Sequence, residues 1–184
     1  LKHFLYYIWV FGILNGIYLF IKIYFGREIV RIKLPHDDTH LFLRANSADI
    51  DVFYQVFIEE QYSFPFIDFT PEIIIDAGGY TGLSARYFAL SYPDAQIVVI
   101  EPQSANYKML INKTEEKENI SCIQAALWPQ KTTLEITNPL NEKWTYQVRE
   151  SISEDPGDID TITIPDIISP EQNKKILLKI DIEG

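Results

Sequence analysis

An α/β fold with a mostly parallel sheet is predicted from residue 71 onward by three observations. Short apolar runs alternate with helical stretches, a glycine-rich turn (Ala77-Gly78-Gly79-Tyr80-Thr81-Gly82) follows the first run, and acids close the runs at Asp76, Glu101 and Asp181. Apolar strands that return through helices pair in parallel by right-handed crossovers and need helices on both faces to cover them. A Rossmann-like sheet is therefore expected, preceded by a hydrophobic helix and a hairpin lead-in.

The elements follow in order. Strands are predicted over 73–75, 96–100, 120–123 and 176–180, with helices over 84–91 and 105–112 between the first three. Residues 131–164 read as an antiparallel excursion, TLEIT then WTYQV, with SISEDPGDID as a solvated acidic connection. Its carboxylates Glu154, Asp155, Asp158 and Asp160 suit a solvated loop better than a cation site, and no metal is expected. Upstream, 27–34 and 40–44 flank the turn-like Pro35-His36-Asp37-Asp38 and read as a β-hairpin. Capping side chains at 46–49 then precede a helix whose apolar face is Ile50, Phe53, Tyr54, Phe57 and Ile58. Residues 4–21 carry no charge and just reach the length of a membrane span; the alternative is a hydrophobic helix packed on the domain or on a partner. Three segments are expected: 1–26, 27–70 and a cofactor-binding domain over 71–184.

With 47% hydrophobic residues among 184, the chain can bury one good core. It opens on Leu and closes on Asp-Ile-Glu-Gly directly after an apolar run, so it is read as a fragment whose sheet is incomplete on the C-terminal side. The net charge of −10 is unevenly spread: residues 1–35 hold Lys2, Lys22, Arg27, Arg31 and Lys33 against Glu28 alone, which leaves the rest strongly acidic. An acidic body does not neutralise phosphates, so no nucleic-acid partner is expected. The single Cys122 excludes an internal disulfide and reads as a small buried hydrophobe.

Chemistry concentrates at strand ends. Asp76 closes the first strand and begins the spacing D-x-G-x-x-x-G, with Gly78, Gly79 and Gly82 where a backbone has to come close to a ligand and Tyr80 inside the turn. A dinucleotide site wants G-x-G-x-x-G, which this turn lacks; it suits a cofactor without a phosphate and with a cationic amino-acid end, whose ammonium Asp76 could face. Glu101-Pro102 closes the second strand, 19 residues beyond Gly82, where a carboxylate can accept from both hydroxyls of a ribose. After the third strand, Ala125 and Ala126 leave room for an adenine ring whose edge Gln124 or backbone groups could read, while Trp128 reads as core. After ILLKI, Asp181 and Glu183 reach the same edge: Asp181 could orient the methionine part of the cofactor, Glu183 could contact the substrate, and either could take a proton or cap the next helix. His36 and His40 are weaker candidates for a base.

These motifs together resemble the FkbM-type family of S-adenosylmethionine-dependent methyltransferases. The resemblance runs from about Arg44 to the end and is carried by IIIDAGGYTGLS, IVVIEPQSANYKML, IQAALW, TITIPDII and LLKIDIEG. It implies a class I methyltransferase fold, S-adenosyl-L-methionine as cofactor, and methyl transfer to a hydroxyl of a sugar or secondary metabolite. By the same resemblance Asp76, Gly78 and Gly82 form the cofactor turn, Glu101 holds the ribose and Asp181 lies near the methyl donor. The family commonly has Ala-Asn where this chain has Gly79-Tyr80, so a side-chain amide is missing. The rival readings are an NAD-dependent Rossmann oxidoreductase and a non-catalytic, membrane-tethered module. The expected location is cytoplasmic, with residues 4–21 either attached to the cytoplasmic face of a membrane or packed on the domain or a partner.

Overall fold

The computed structural model describes residues 2–26, 29–34, 37, 39–136, 148–151, 159–168 and 173–182, with backbone alone at a few element ends. The chain divides into two compact units, 1–65 and 66–184.

In the first unit the uncharged run forms two helices, α1 (Lys2–Phe11) and α2 (Ile13–Phe25), and not one span-length rod. Gly12 breaks it, with φ +78 outside the helical region. The helices pack as an antiparallel pair: Phe4 meets Phe20 edge-on at 5.1 Å, and Gly16 lies against the backbone of Tyr7 and Ile8 so closely that a Cβ would stand 2.5 Å from the Tyr7 carbonyl. Among the described residues no helix is long and apolar enough to cross a membrane.

The hairpin predicted next is present as β1 (Ile29–Lys33) and β2 (His40–Arg44), antiparallel with Ile29 opposite Arg44. Val30, Ile32, Leu41 and Leu43 are buried, as period-two alternation requires. Asp37 is buried in the turn and accepts from the backbone and hydroxyl of Thr39. The following helix departs from expectation. Only Asp49–Phe53 (α3) is α-helical, and Tyr54–Ile58 continue as a π turn. The wider turn rotates the face, so Val56 takes the core position expected of Phe57 and Ile58, which are half-buried. Asp49 does not cap the helix with its side chain; it is fully buried, and its carboxylate takes the Arg44 guanidinium at 2.6 Å.

The second unit is built on β3 (Ile73–Ala77), β4 (Gln96–Ile100), β5 (Ile120–Ile123) and β10 (Ile176–Ile180), all parallel, in the order β10-β3-β4-β5. The chain steps outward from β3 to β5 and then returns to the other side of β3. The two crossovers before the return, α4 (Leu83–Ser91) and α5 (Ser104–Thr114), step in the same direction and therefore lie against each other on one face. The opposite face, Ile73, Ile75, Ala77 and Ile100, packs with Ile162 and with Ile167 and Ile168 of α6 (Ile164–Ile168). Full burial of a side chain such as Phe88 is worth about 1.5–3 kcal/mol.

A smaller sheet joins β6 (Ala126–Leu127), β9 (Ile159–Ile162), β7 (Thr133–Ile136) and β8 (Val148–Glu150) in that order. The β7–β8 pair is the antiparallel excursion. The WTYQV stretch before Val148 and the acidic residues 154, 155 and 158 lie outside the described residues, whereas Asp160 is in β9. Trp128 is not core: it is half exposed and donates its indole N–H to Glu150 at 3.1 Å. Cys122 is half-buried, and burial pushes its thiol up.

Candidate functional site

In an open parallel sheet the crevice opens at the carboxyl ends of the strands where strand order reverses. Here the reversal lies between β3 and β10, with β4 next to β3. The motifs singled out in the sequence converge on this edge.

Asp76 is the last acid of β3 and is fully buried. One carboxylate oxygen accepts from Ser84 Oγ at 2.6 Å, and the other lies 2.8 Å from Lys179 Nζ. Lys179 is 5% exposed and also donates to the Gly78 carbonyl at 2.8 Å, with Asp181 Oδ2 at 3.9 Å. A buried ammonium and carboxylate each cost several kcal/mol to desolvate, which their pairing offsets only in good geometry. Lys179 thus ties β10 to the first turn and neutralises Asp76.

The turn from Gly78 to Gly82 needs glycine because the protein itself comes close. Gly78 has φ +82, and a Cβ there would run into the Asp181 carbonyl; one on Gly79 would meet the Val99 side chain. Both amides donate to the Ile100 carbonyl, at 2.9 and 3.0 Å, so the turn is pinned to the end of β4. Gly82, φ +89, opens α4. Tyr80 sits at φ +47, in the left-handed region that Asn tolerates far better than Tyr, which is a backbone reason for an amide at this position. Thr81 accepts from Lys113 Nζ at 2.8 Å, and Arg86 donates to the Lys113 carbonyl at 2.9 Å, so α5 clamps the turn from behind.

Glu101 caps β4. It is buried, with one oxygen accepting the Tyr80 N–H at 2.9 Å and the other the Gln103 N–H at 3.0 Å, while the Asn106 amide reaches it at 3.4 Å. Burial pushes its carboxyl up to about 7, against the lowering pull of those donors and of the Lys179 charge. The Gln103 side chain caps α5 by accepting from the Asn106 N–H.

The remaining candidates are placed as follows. Pro102 is half-buried in the loop after Glu101. Gln124 is exposed and donates to Ser104 Oγ at 2.7 Å, and Ala125 is buried in the core. Asp181 is at the crevice, its side chain 64% exposed and its N–H on the Ala77 carbonyl. His40 lies in the other unit, 3.0 Å from Arg31, while His36 and Glu183 lie outside the described residues. The structure brings together Asp76, Gly78, Lys179 and Asp181 on one side, and Tyr80, Glu101, Gln103 and Asn106 on the other. Sequence reasoning passed over Lys179, Ser84 and Lys113. Lys179 carried a signal, as a single cation in the otherwise apolar ILLKI.

The fold is Rossmann-like α/β. No family model matches the chain, and no curated protein matches it significantly. Among solved structures it is similar to the methyltransferase FkbM from Methylobacillus flagellatus KT, at 18% identity and a TM-score of 0.46 over 72% of this chain. It is also similar to coclaurine N-methyltransferase bound to N-methylheliamine and SAH, at 12% identity and a TM-score of 0.31 over 65%. The chain spans 30% and 29% of those two proteins. The fold assignment rests on strand order and register.

Proposed function

We propose that the second unit is the cofactor-binding half of an S-adenosylmethionine-dependent methyltransferase that methylates a hydroxyl of a sugar or secondary metabolite. The observation that carries this reading is Glu101: a buried carboxylate at the end of β4, next to the reversal of strand order and bonded to the backbone of the glycine turn.

The residues fit such a cofactor. Glu101, at the end of β4, is our candidate to accept from ribose hydroxyls, and the close approach of protein atoms at Gly78, Gly79 and Gly82 keeps those three positions of the turn without side chains. The turn lacks the G-x-G-x-x-G pattern of a pyrophosphate site. Asp76 cannot serve as a lone counter-charge for an ammonium group, because Lys179 already pairs with it; Asp76 and Lys179 instead hold the turn and Asp181 in place. Gln124 and Ala125, after β5, are assigned to the adenine side.

When bound, the cofactor supplies an electrophilic methyl group on a sulfonium. The chain's part is to hold the acceptor oxygen in line with that methyl group and to receive the hydroxyl proton. Asp181, exposed at the end of β10, is our candidate to receive that proton, with Glu183 as the other.

Isothermal titration with S-adenosylhomocysteine and with NAD tests the reading. The first is expected to bind, and Glu101→Ala to weaken it at least about tenfold with the far-UV circular dichroism unchanged. Binding of NAD alone would overturn the assignment. Donors on the ionised form of Glu101 favour it, so binding near pH 7 is also expected to release protons, read as a heat that varies with the buffer's ionisation enthalpy.

A further inference from the structure

The α1–α2 hairpin buries one side and leaves the other exposed among the described residues. Tyr7, Leu19 and Ile23 are buried, and Tyr7 stacks on Phe53 of α3 at 6.4 Å. On the outer side of α2, Leu14, Tyr18, Ile21 and Phe25 recur every three or four residues and are all exposed; on α1, Leu5 and Trp9 are exposed one turn apart. Trp9 and Leu14 are each 82% exposed. Scattered exposed apolar residues are ordinary, but seven large ones on one short hairpin, Ile13 included, mark a surface made to be covered.

We infer that this face rests in the plane of an anionic lipid surface. Charge supports a lipid partner. No Asp or Glu occurs before Glu28, while Lys22 is exposed beside Ile21, 5.2 Å from the Tyr18 ring, and Arg31 and Lys33 follow in β1. A second copy docked by the same two helices would bring Lys2 and Lys22 and no acid to answer them. The polar atoms of the exposed set are the indole N–H of Trp9 and the hydroxyl of Tyr18, groups that favour the headgroup level. Length decides between lying and crossing. The 13 residues of α2 span roughly 20 Å, short of the roughly 30 Å of hydrocarbon, so the hairpin lies in the interface with its apolar face down.

Flotation of the whole chain with vesicles tests this, using phosphatidylcholine alone or mixed with phosphatidylserine. The wild type is expected to float with the mixed vesicles and far less with phosphatidylcholine, and added salt is expected to reduce the difference. Lys22→Glu is expected to lower partitioning onto the mixed vesicles roughly tenfold or more. Leu14→Asp with Ile21→Asp is expected to abolish flotation, with circular dichroism and thermal midpoint kept because both sites are exposed. Trp9 emission is expected to shift to the blue on the mixed vesicles, and Trp9→Phe to remove that shift. A wild type that stays unbound to both vesicle types overturns the inference. So does a dimer in sedimentation that the double variant dissolves, which would assign the face to a second copy. Equal flotation on both vesicle types overturns the requirement for anionic lipid.

Discussion

Glu101 takes two backbone N–H groups and an amide and yet is so deeply buried that desolvation outweighs them and lifts its carboxyl to about 7. A raised acid binds its proton more tightly in the folded than in the unfolded chain. Its stabilising contribution is therefore full below the ordinary carboxylate value of 4.5 and is lost as pH rises to about 7. Thermal midpoints of the wild type, compared with Glu101→Gln between pH 4.5 and 7.5, are expected to show a fall with pH that the variant lacks; parallel curves would refute the assignment. Tyr80 offers the opposite kind of test. Its left-handed backbone costs a bulky side chain on the order of 1 kcal/mol, so Tyr80→Asn is expected to raise stability by about that much in urea denaturation. Asp76 and Glu101 could be picked out as candidates because each closes an apolar strand, and Gly78 and Gly82 because they stand in the turn between β3 and α4. The partners that neutralise and clamp them were not, since Lys179, Ser84 and Lys113 look in sequence like ordinary strand and helix residues.

At the scale of elements, periodicity located every strand of the parallel sheet to within a residue or two, because continuous apolar runs between helices leave few other pairings. It failed where a helix changes pitch or breaks. The π turn at 54–58 moved the apolar face by one residue, and Gly12 divided a run that hydropathy alone reads as continuous. A span test counts apolar residues and does not register that Gly16 lets a second helix fold back onto Tyr7 and Ile8. Gly16→Leu is accordingly expected to force α1 and α2 apart and to cost at least about 1–3 kcal/mol, measured by chemical denaturation of the full chain. A variant as stable as the wild type would show that the close approach does not matter.

Across the whole molecule the carboxyl edge of the parallel sheet is where a ligand is expected to act, and amide hydrogen exchange can map it. S-adenosylhomocysteine is expected to slow exchange over 77–82, 100–106 and 180–182 and to leave the opposite strand ends, 72–73, 95–96 and 119–120, unchanged; protection confined to those opposite ends would place the site elsewhere. One property of that edge follows from chain order. Lys179 lies 101 residues from its Gly78 partner, and β3 receives β10 only after the smaller sheet has been traversed. Contacts that distant close slowly, since the loop entropy is lost before the pairing repays it. β3, β4 and β5 can assemble from near neighbours with Asp76 still lacking its cation. The docking of β10 then supplies the neutralising charge and Asp181 in one event. Competence to bind would therefore appear late and abruptly in refolding, well after most of the secondary structure has formed.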